Sequence, residues 1–349
     1  MSYSWDKSRV LVVGGAGFVG SNLTMALLKE GVKKVVIIDN FLSSEPENVP
    51  KSAKVQVWEG SIADERVLGK VRDEYDYIFH LATYHGNQSS IYDPLADHDN
   101  NLITSLRLFH RLCGFRRLKK VVYSGAGCAV AKKTFAEAEA TSEDAPVSLE
   151  MDSPYSISKI VGEFYAVYFC RQNGLPTVRA RFQNVYGPGE VLGAGKWRGT
   201  PATVWRNVTP TFVFKALKGQ ALPLENGGLA TRDFIYVEDI VEGLMLCAQH
   251  GVPGEVYNLA SGVGISIKNF AKMINRLTGN AVPLQNMPKR DWDRSGNRFG
   301  STAKAKDKLG FVAKTKLEDG LKRTIEWTKL HMDVIEKTMH KHRDYMLLD

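Results

Sequence analysis

Between residues 10 and 126, short apolar runs alternate with stretches of helical spacing. Val10–Val13, Val35–Ile38, Val55–Trp58, Tyr77–Ala82 and Lys120–Ser124 each have the length and composition of a buried strand. Helical patterns separate them, with Val19, Leu23, Ala26 and Leu27 after the first run and Leu102, Leu106, Phe109 and Leu112 before the fifth. This alternation predicts an α/β fold with a parallel, doubly wound sheet. Thr177–Phe182 reads as a sixth strand. Beyond residue 186 the alternation breaks into loops rich in Gly, Trp and Pro. A smaller mixed part is expected there, interleaved with the first domain (1–185). Asp233–Val237 and Val256–Leu259 are expected to return to the main sheet.

Three further stretches stand out. Residues 132–152 are polar and acidic, and Glu137, Glu139, Glu143 and Asp144 read as a solvated lid face. From Pro154 a long helix is apolar nearly all round (Ile160, Val161, Phe164, Tyr165, Tyr168, Phe169). Such a helix is buried on two sides, one facing the sheet and the other a second copy of the chain. The chain from Leu317 onward has helical spacing (Leu317, Leu321, Ile325, Leu330) and closes in a helical tail, 331–349, whose charged end, Lys337 to Asp349, is expected to fray.

The turn after the first strand carries chemistry. Gly14, Gly17 and Gly20 let the chain bend sharply at the start of a helix, where a dinucleotide pyrophosphate binds. Asp39 ends the second strand about 20 residues on, where a carboxylate holds the adenosine ribose hydroxyls. No arginine follows directly, since the next residues are Asn40, Phe41 and Leu42. NAD is therefore expected rather than NADP, on a Rossmann-type domain. The loop after the third strand, with Ser61 and Ile62, is placed to hold the adenine. The fourth strand, through Leu81 and Ala82, ends in the loop Thr83 to Asn87, which is placed over the cofactor.

Composition narrows the picture. The chain has 349 residues and a formal charge of +8, but its basic residues are scattered. That suits a small anionic substrate better than nucleic acid. Four cysteines show neither CxxC spacing nor metal-ligand clustering, so no metal is expected. No signal peptide and no membrane-spanning window is apparent. A cytoplasmic location is expected.

Tyr155 and Lys159 lie one turn apart on the helix that opens at Pro154. An ammonium beside a phenol favours the phenolate, so Tyr155 is the expected general base and acid. Together, Gly14-Gly15-Ala16-Gly17-Phe18-Val19-Gly20, Asp39, His80-Leu81-Ala82, Tyr155 to Lys159, Arg181 to Gly189, Arg232 to Asp239 and Lys304 to Phe311 resemble the extended short-chain dehydrogenase/reductase family. Within it they resemble the NAD-dependent nucleotide-sugar epimerases and dehydratases.

The resemblance implies a homodimeric isomerase of carbohydrate biosynthesis that takes a nucleotide-diphosphate sugar. It implies cofactor contacts from Gly14, Gly17, Phe18, Val19, Gly20, Asp39, Asn40, Ser61, Ile62, Leu81, Ala82, Thr83 and Asn101, besides Tyr155 and Lys159. On the substrate side it implies Tyr84, His85, Ser90, Ala126, Asn184, Arg232 and Arg290, with Arg294 competing with Arg290 for the diphosphate.

The chain departs from the family pattern. Ala126 stands where the family places a Ser or Thr, and Ser124 lies roughly 6–7 Å back along the strand. A water, Thr83, Tyr84 or His85 is left to fill that gap. Gly127 and Cys128 stand where dehydratases carry Asp and Glu and decarboxylases a Glu. Ser61 replaces the usual Asp of the adenine loop. Cys128 matches the acid/base cysteine of members that epimerise beside a keto group. These features favour 4-epimerisation through a transient 4-keto sugar, which needs only Tyr155, Lys159, the cofactor and a roomy pocket. 5-Epimerisation, decarboxylation, 4,6-dehydration and an idle NAD-binding sensor remain as alternatives.

Overall fold

The computed structural model describes residues 5–84, 86–131, 134–294 and 296–346. Its strands are β1 (Arg9–Val13), β2 (Lys34–Asp39), β3 (Val55–Glu59), β4 (Tyr77–His80), β5 (Lys120–Ala126), β6 (Thr177–Phe182), β7 (Asn184–Tyr186), β8 (Pro223–Glu225), β9 (Thr231–Tyr236), β10 (Val256–Leu259), β11 (Gly264–Ser266) and β12 (Gln285–Met287). The helices used below are α1 (Phe18–Lys29), α2 (Thr104–Leu112), α3 (Pro154–Asn173), α4 (Val237–His250), α5 (Leu317–Leu330) and α6 (Met332–His340).

Seven parallel strands form the main sheet in the order β10-β6-β5-β4-β1-β2-β3. Successive side chains of a strand point to opposite faces. Val10, Val12, Val35 and Ile37 therefore share one core with Leu23 and Leu27 of α1 and Ile240 and Leu244 of α4. Leu11, Val13, Val36 and Ile38 share the other with Leu108 and Phe109 of α2 and Phe169 of α3. The strand order reverses between β1 and β4. In register, Val13 lies opposite both Ile38 and His80. Gly14, Asp39 and Leu81, one residue beyond, consequently open onto one crevice at the strand C-termini, where ligands of such sheets bind.

Val256–Leu259 takes the edge of this sheet as β10, as expected. Asp233–Val237 does not: β9 lies in a separate three-stranded sheet, parallel to β7 and antiparallel to β11. Phe234 and Tyr236 there pack on Phe212, Phe270 and Leu321, away from the main sheet.

Two other expectations are corrected. Glu143 is buried rather than solvated: its Oε1 accepts from the Asn258 amide at 2.8 Å, and its carbonyl accepts from Arg181 Nη1 at 2.8 Å. The tail is held at His342 and Tyr345, although Arg343 and Asp344 between them are exposed, and residues 347–349 lie outside the described residues. His342 Nε2 donates to the Gly193 carbonyl at 2.8 Å, and Tyr345 stacks on Trp197 at 5.1 Å between centroids.

Helix α3 is seated by local chemistry. Ser153 caps it, accepting from the Ser156 amide at 3.3 Å, and Pro154 occupies its first turn. Its buried carboxylate, Glu163, is held by Arg181 Nη2 at 2.9 Å and Nε at 3.0 Å. Ile157, Phe164 and Tyr168 are exposed on the other face.

Candidate active site

A cavity of about 900 Å³ runs from Asp39 and Ile62 past the glycine turn to Tyr155, and on between the two parts of the chain to Arg232 and Arg290. Gly14 has φ +83°, and a Cβ there would lie 2.5 Å from the Ala82 amide nitrogen. No other residue fits. Gly17 caps α1 without a side-chain bond, so the first-turn N–H groups at Phe18 and Val19 meet the cavity wall.

Asp39 is buried at the end of β2. Its Oδ2 accepts from the Ala16 amide at 2.9 Å, and its Oδ1 from the Phe41 amide at 2.9 Å and the Ser44 hydroxyl at 3.0 Å. Burial raises its pKa, and these hydrogen bonds oppose the rise. The carboxylate thus ties the glycine turn to the loop that follows β2. Asn40, Ser61, Ile62, Leu81, Ala82 and Thr83 also line the cavity. Ser61 Oγ accepts from the Ala63 amide at 3.1 Å and so closes its own turn.

At the far end of the crevice, Lys159 is buried. Its Nζ donates to the Ser124 carbonyl at 3.1 Å and reaches Ser124 Oγ at 3.4 Å. Burial pulls the Lys159 pKa down to about 8, against the pull of Asp97, Cys128 and Glu163. Tyr155 lies on the cavity wall one turn earlier, with the ammonium 5.9 Å from its ring centroid. Burial raises its pKa, Cys128 and Tyr123 add to the rise, and a hydrogen bond with Thr83 opposes it. Cys128 is half-buried on the same wall and, like Tyr155, packs against Ala126, Ala129, Val130 and Ile160. Ala126 lies beside them.

Several expected contacts have other roles. Asn101 does not line the cavity. Its Oδ1 accepts from Thr83 Oγ1 at 3.0 Å and the Tyr84 amide at 2.7 Å, so it holds the loop that faces the cavity. Ser90 Oγ is buried, accepts from the Tyr155 amide at 3.2 Å, and steadies the start of α3. The Tyr84 ring faces the Arg198 guanidinium, 5.8 Å from its centroid, not the cavity. Arg198 itself turns inward to Ser43 Oγ at 2.8 Å. Arg294 is exposed and away from the cavity. His85 lies outside the described residues.

The other substrate-side expectations converge on the cavity. Asn184, Arg232 and Arg290 line it. Arg232 Nη1 donates to the Gly296 carbonyl at 2.7 Å, and its Nη2 lies 3.8 Å from Asp293. Burial pulls its pKa down to about 9, with Arg298 adding to the fall. Arg290 pairs with Glu225 and lies over Trp292.

Sequence reasoning missed Gln183, Glu190, Asn207 and Arg298, all on the wall. Arg298 was visible in the basic run after Arg290, and Gln183 in the Arg181–Gly189 motif. Glu190 gave no signal. It is buried, its Oε1 accepts from Asn207 Nδ2, and burial raises its pKa to about 7.

Residues 10–260 match the model of the NAD dependent epimerase/dehydratase family. The chain belongs to this family. It is therefore an enzyme whose cofactor is NAD, and the residues present fit that group: a cradle that no Cβ could enter at Gly14, an uncapped helix N-terminus, and Asp39 at the adenosine end. The fold matches the Bordetella bronchiseptica enzyme WbmF, solved with NAD+ and UDP, with 58% identity, a TM-score of 0.89 and 99% coverage of each chain. A UDP-glucose 4-epimerase of Mycolicibacterium smegmatis is 30% identical over 91% of this chain and 98% of its own. A UDP-N-acetyl-alpha-D-glucosaminuronate decarboxylase of Bacillus cytotoxicus is 28% identical over 92% of this chain and 98% of its own. No helix among the described residues is long and apolar enough to cross a membrane.

Proposed function

We propose that this enzyme inverts C4 of a nucleotide-diphosphate sugar through a transient 4-keto sugar. The observation that carries the reading is the pairing of Tyr155 with a buried Lys159 on a cavity wall that has no carboxylate at positions 126 to 128. A Cβ at Gly127 would lie 2.7 Å from Gln183 Cδ, so the space of the dehydratase's first acid is already filled. Elimination of water and loss of carboxyl both lack the acid that the family uses for them.

Bound NAD supplies reversible hydride acceptance. Tyr155 takes the proton of the 4-hydroxyl and returns it after the sugar has turned over. Lys159, held by Ser124, keeps the phenolate favourable. Arg232 and Arg290 are placed to hold the diphosphate, since guanidinium forks match phosphate oxygens. Asn184 contacts the sugar or its phosphate. The sugar end of the cavity lies between them, beside Ala126 and Cys128.

A second reading rests on Cys128, whose place on the same cavity wall as Tyr155 suits removal of a proton at C5 of the keto sugar. Both readings are tested by incubating the NAD-loaded protein in D2O with UDP-, GDP-, CDP- and dTDP-sugars and following products by NMR. A C4-inverted sugar without solvent deuterium supports the first reading. Deuterium at C5 overturns it in favour of the second. No turnover on any sugar, with NAD retained, favours a sensor.

The exposed Ile157, Phe164 and Tyr168 on α3, with Tyr92 and Leu95 nearby, form the face on which a second copy is proposed to dock. Light scattering of the purified protein tests this, and a monomeric mass sinks it.

A further inference from the structure

Beyond Ser124, whose hydroxyl donates to the His80 carbonyl at 3.1 Å, the end of β5 offers the cavity no polar side chain, since Gly125, Ala126 and Gly127 follow. A polar group comes in from the neighbouring strand instead. Phe182 of β6 lies opposite Ala126 in register. Gln183, next in the chain, comes level with Gly127 and carries its amide over it. A Cβ at Gly127 would lie 2.2 Å from Gln183 Nε2, and one at Gly300 would lie 2.8 Å from the same atom. The amide thus fills room that two glycines leave open. This seat is held from behind by Asp233. Its Oδ2 accepts from the Gly300 amide at 3.1 Å and the Gly262 amide at 3.0 Å, and its Oδ1 from Ser261 Oγ at 2.6 Å. Gln183 is half-buried and lines the cavity together with Ala126, Cys128 and Tyr155. Among the described residues neither polar atom of its amide has a hydrogen-bond partner, and neither is sealed inside the protein. An amide offers both donor and acceptor, and one that the fold seats on a cavity wall but does not pair is left to pair with what fills the cavity.

We propose that the Gln183 amide holds the sugar at the carbon being inverted, its N–H donating to the oxygen on that carbon. This rests on the C4-epimerase reading, in which that oxygen alternates between hydroxyl and ketone. Tyr155 takes and returns the proton, hydride moves between the same carbon and bound NAD, and Gln183 transfers nothing. The amide does not titrate, so it donates in the same way before and after the sugar has turned over. Negative charge grows on the oxygen as hydride returns to the ketone. A donor already seated there is then worth more than in the ground state, which is the condition for raising the rate.

The test uses the NAD-loaded protein and calorimetric titration, which reads a contact with the sugar whether or not a reaction follows. The probes are UDP, UDP-glucose, UDP-galactose, UDP-N-acetylglucosamine and UDP-glucuronate. Gln183→Met keeps the length of the side chain and removes both polar atoms. It is expected to leave UDP affinity unchanged and to weaken the tightest-binding UDP-sugar about three- to tenfold. Adding Ala126→Ser, which puts a hydroxyl on the same wall, is expected to restore most of that loss. With a sugar that is turned over, Gln183→Met is expected to lower kcat about a hundredfold while KM changes far less. Gln183→Leu serves as a second variant if methionine disturbs the seat between the glycines. Equal losses for UDP and UDP-sugar place the amide at the diphosphate and overturn the proposal. Unchanged affinity for every UDP-sugar overturns it too, as does a wild-type protein that binds none of them. A loss confined to the sugar, without turnover, upholds the contact while sinking the epimerase reading.

Discussion

Lys159 Nζ lies 3.1 Å from the carbonyl oxygen of Ser124, so the strand that lacks the usual hydroxyl still anchors the ammonium. Burial brings this lysine down from 10.5 to about 8. The charged form is the one that favours the phenolate, so kcat is expected to fall as pH rises through about 8. Stability moves the other way. Between about 8 and 10.5 the unfolded chain holds a proton that the folded one has lost, so stability rises with pH across that window. Lys159→Met removes both effects and lowers kcat about a hundredfold or more. A pH–rate profile and urea melts at pH 7 and above check this.

Glu163 is the counter-charge for two arginines inside the fold, with Arg181 at 2.9 Å and Arg179 at 3.4 Å. Glu163→Gln leaves the buried Arg181 guanidinium without its partner. The expected cost is about 3–5 kcal/mol, read as a lower urea midpoint.

Arg232 is buried at the cavity wall with Nη1 already committed to carbonyls. Its Nη2 lies 3.8 Å from Asp293 on the wall of the same cavity. Arg232→Ala is expected to weaken UDP binding about 10- to 100-fold, equivalent to about 1.5–3 kcal/mol. Calorimetric titration of the NAD-loaded protein checks it, and an unchanged Kd removes this residue from the substrate site.

Trp197 links the tail to the loop that follows β2 on the cavity wall. It stacks on Tyr345, while its neighbour Arg198 holds Ser43 beside the Asp39 loop. Trp197→Ala removes an aromatic pair worth roughly 1 kcal/mol. NAD release is expected to quicken about five- to tenfold, measured by exchange against labelled NAD.

Much of the fold was legible along the chain because it depends on neighbours in sequence. A strand buried on both faces must be continuously apolar, and Val10–Val13 and Val35–Ile38 are. The turn at Gly14 must tolerate positive φ, and a phenol and an ammonium four residues apart must share a helix face. Those constraints are local, so periodicity and residue type determined the parallel sheet, the dinucleotide turn and the Tyr155–Lys159 pair.

Only the tertiary structure decided which distant groups meet. Ser158 reaches Asp97 across 61 positions of sequence, and Asn101 turns to the loop rather than the cavity. Glu143 is drawn inward by Asn258 and Arg181, and β9 leaves the main sheet. None of these follows from spacing, because each is set by how two separately formed elements pack and by the requirement that buried polar groups find partners.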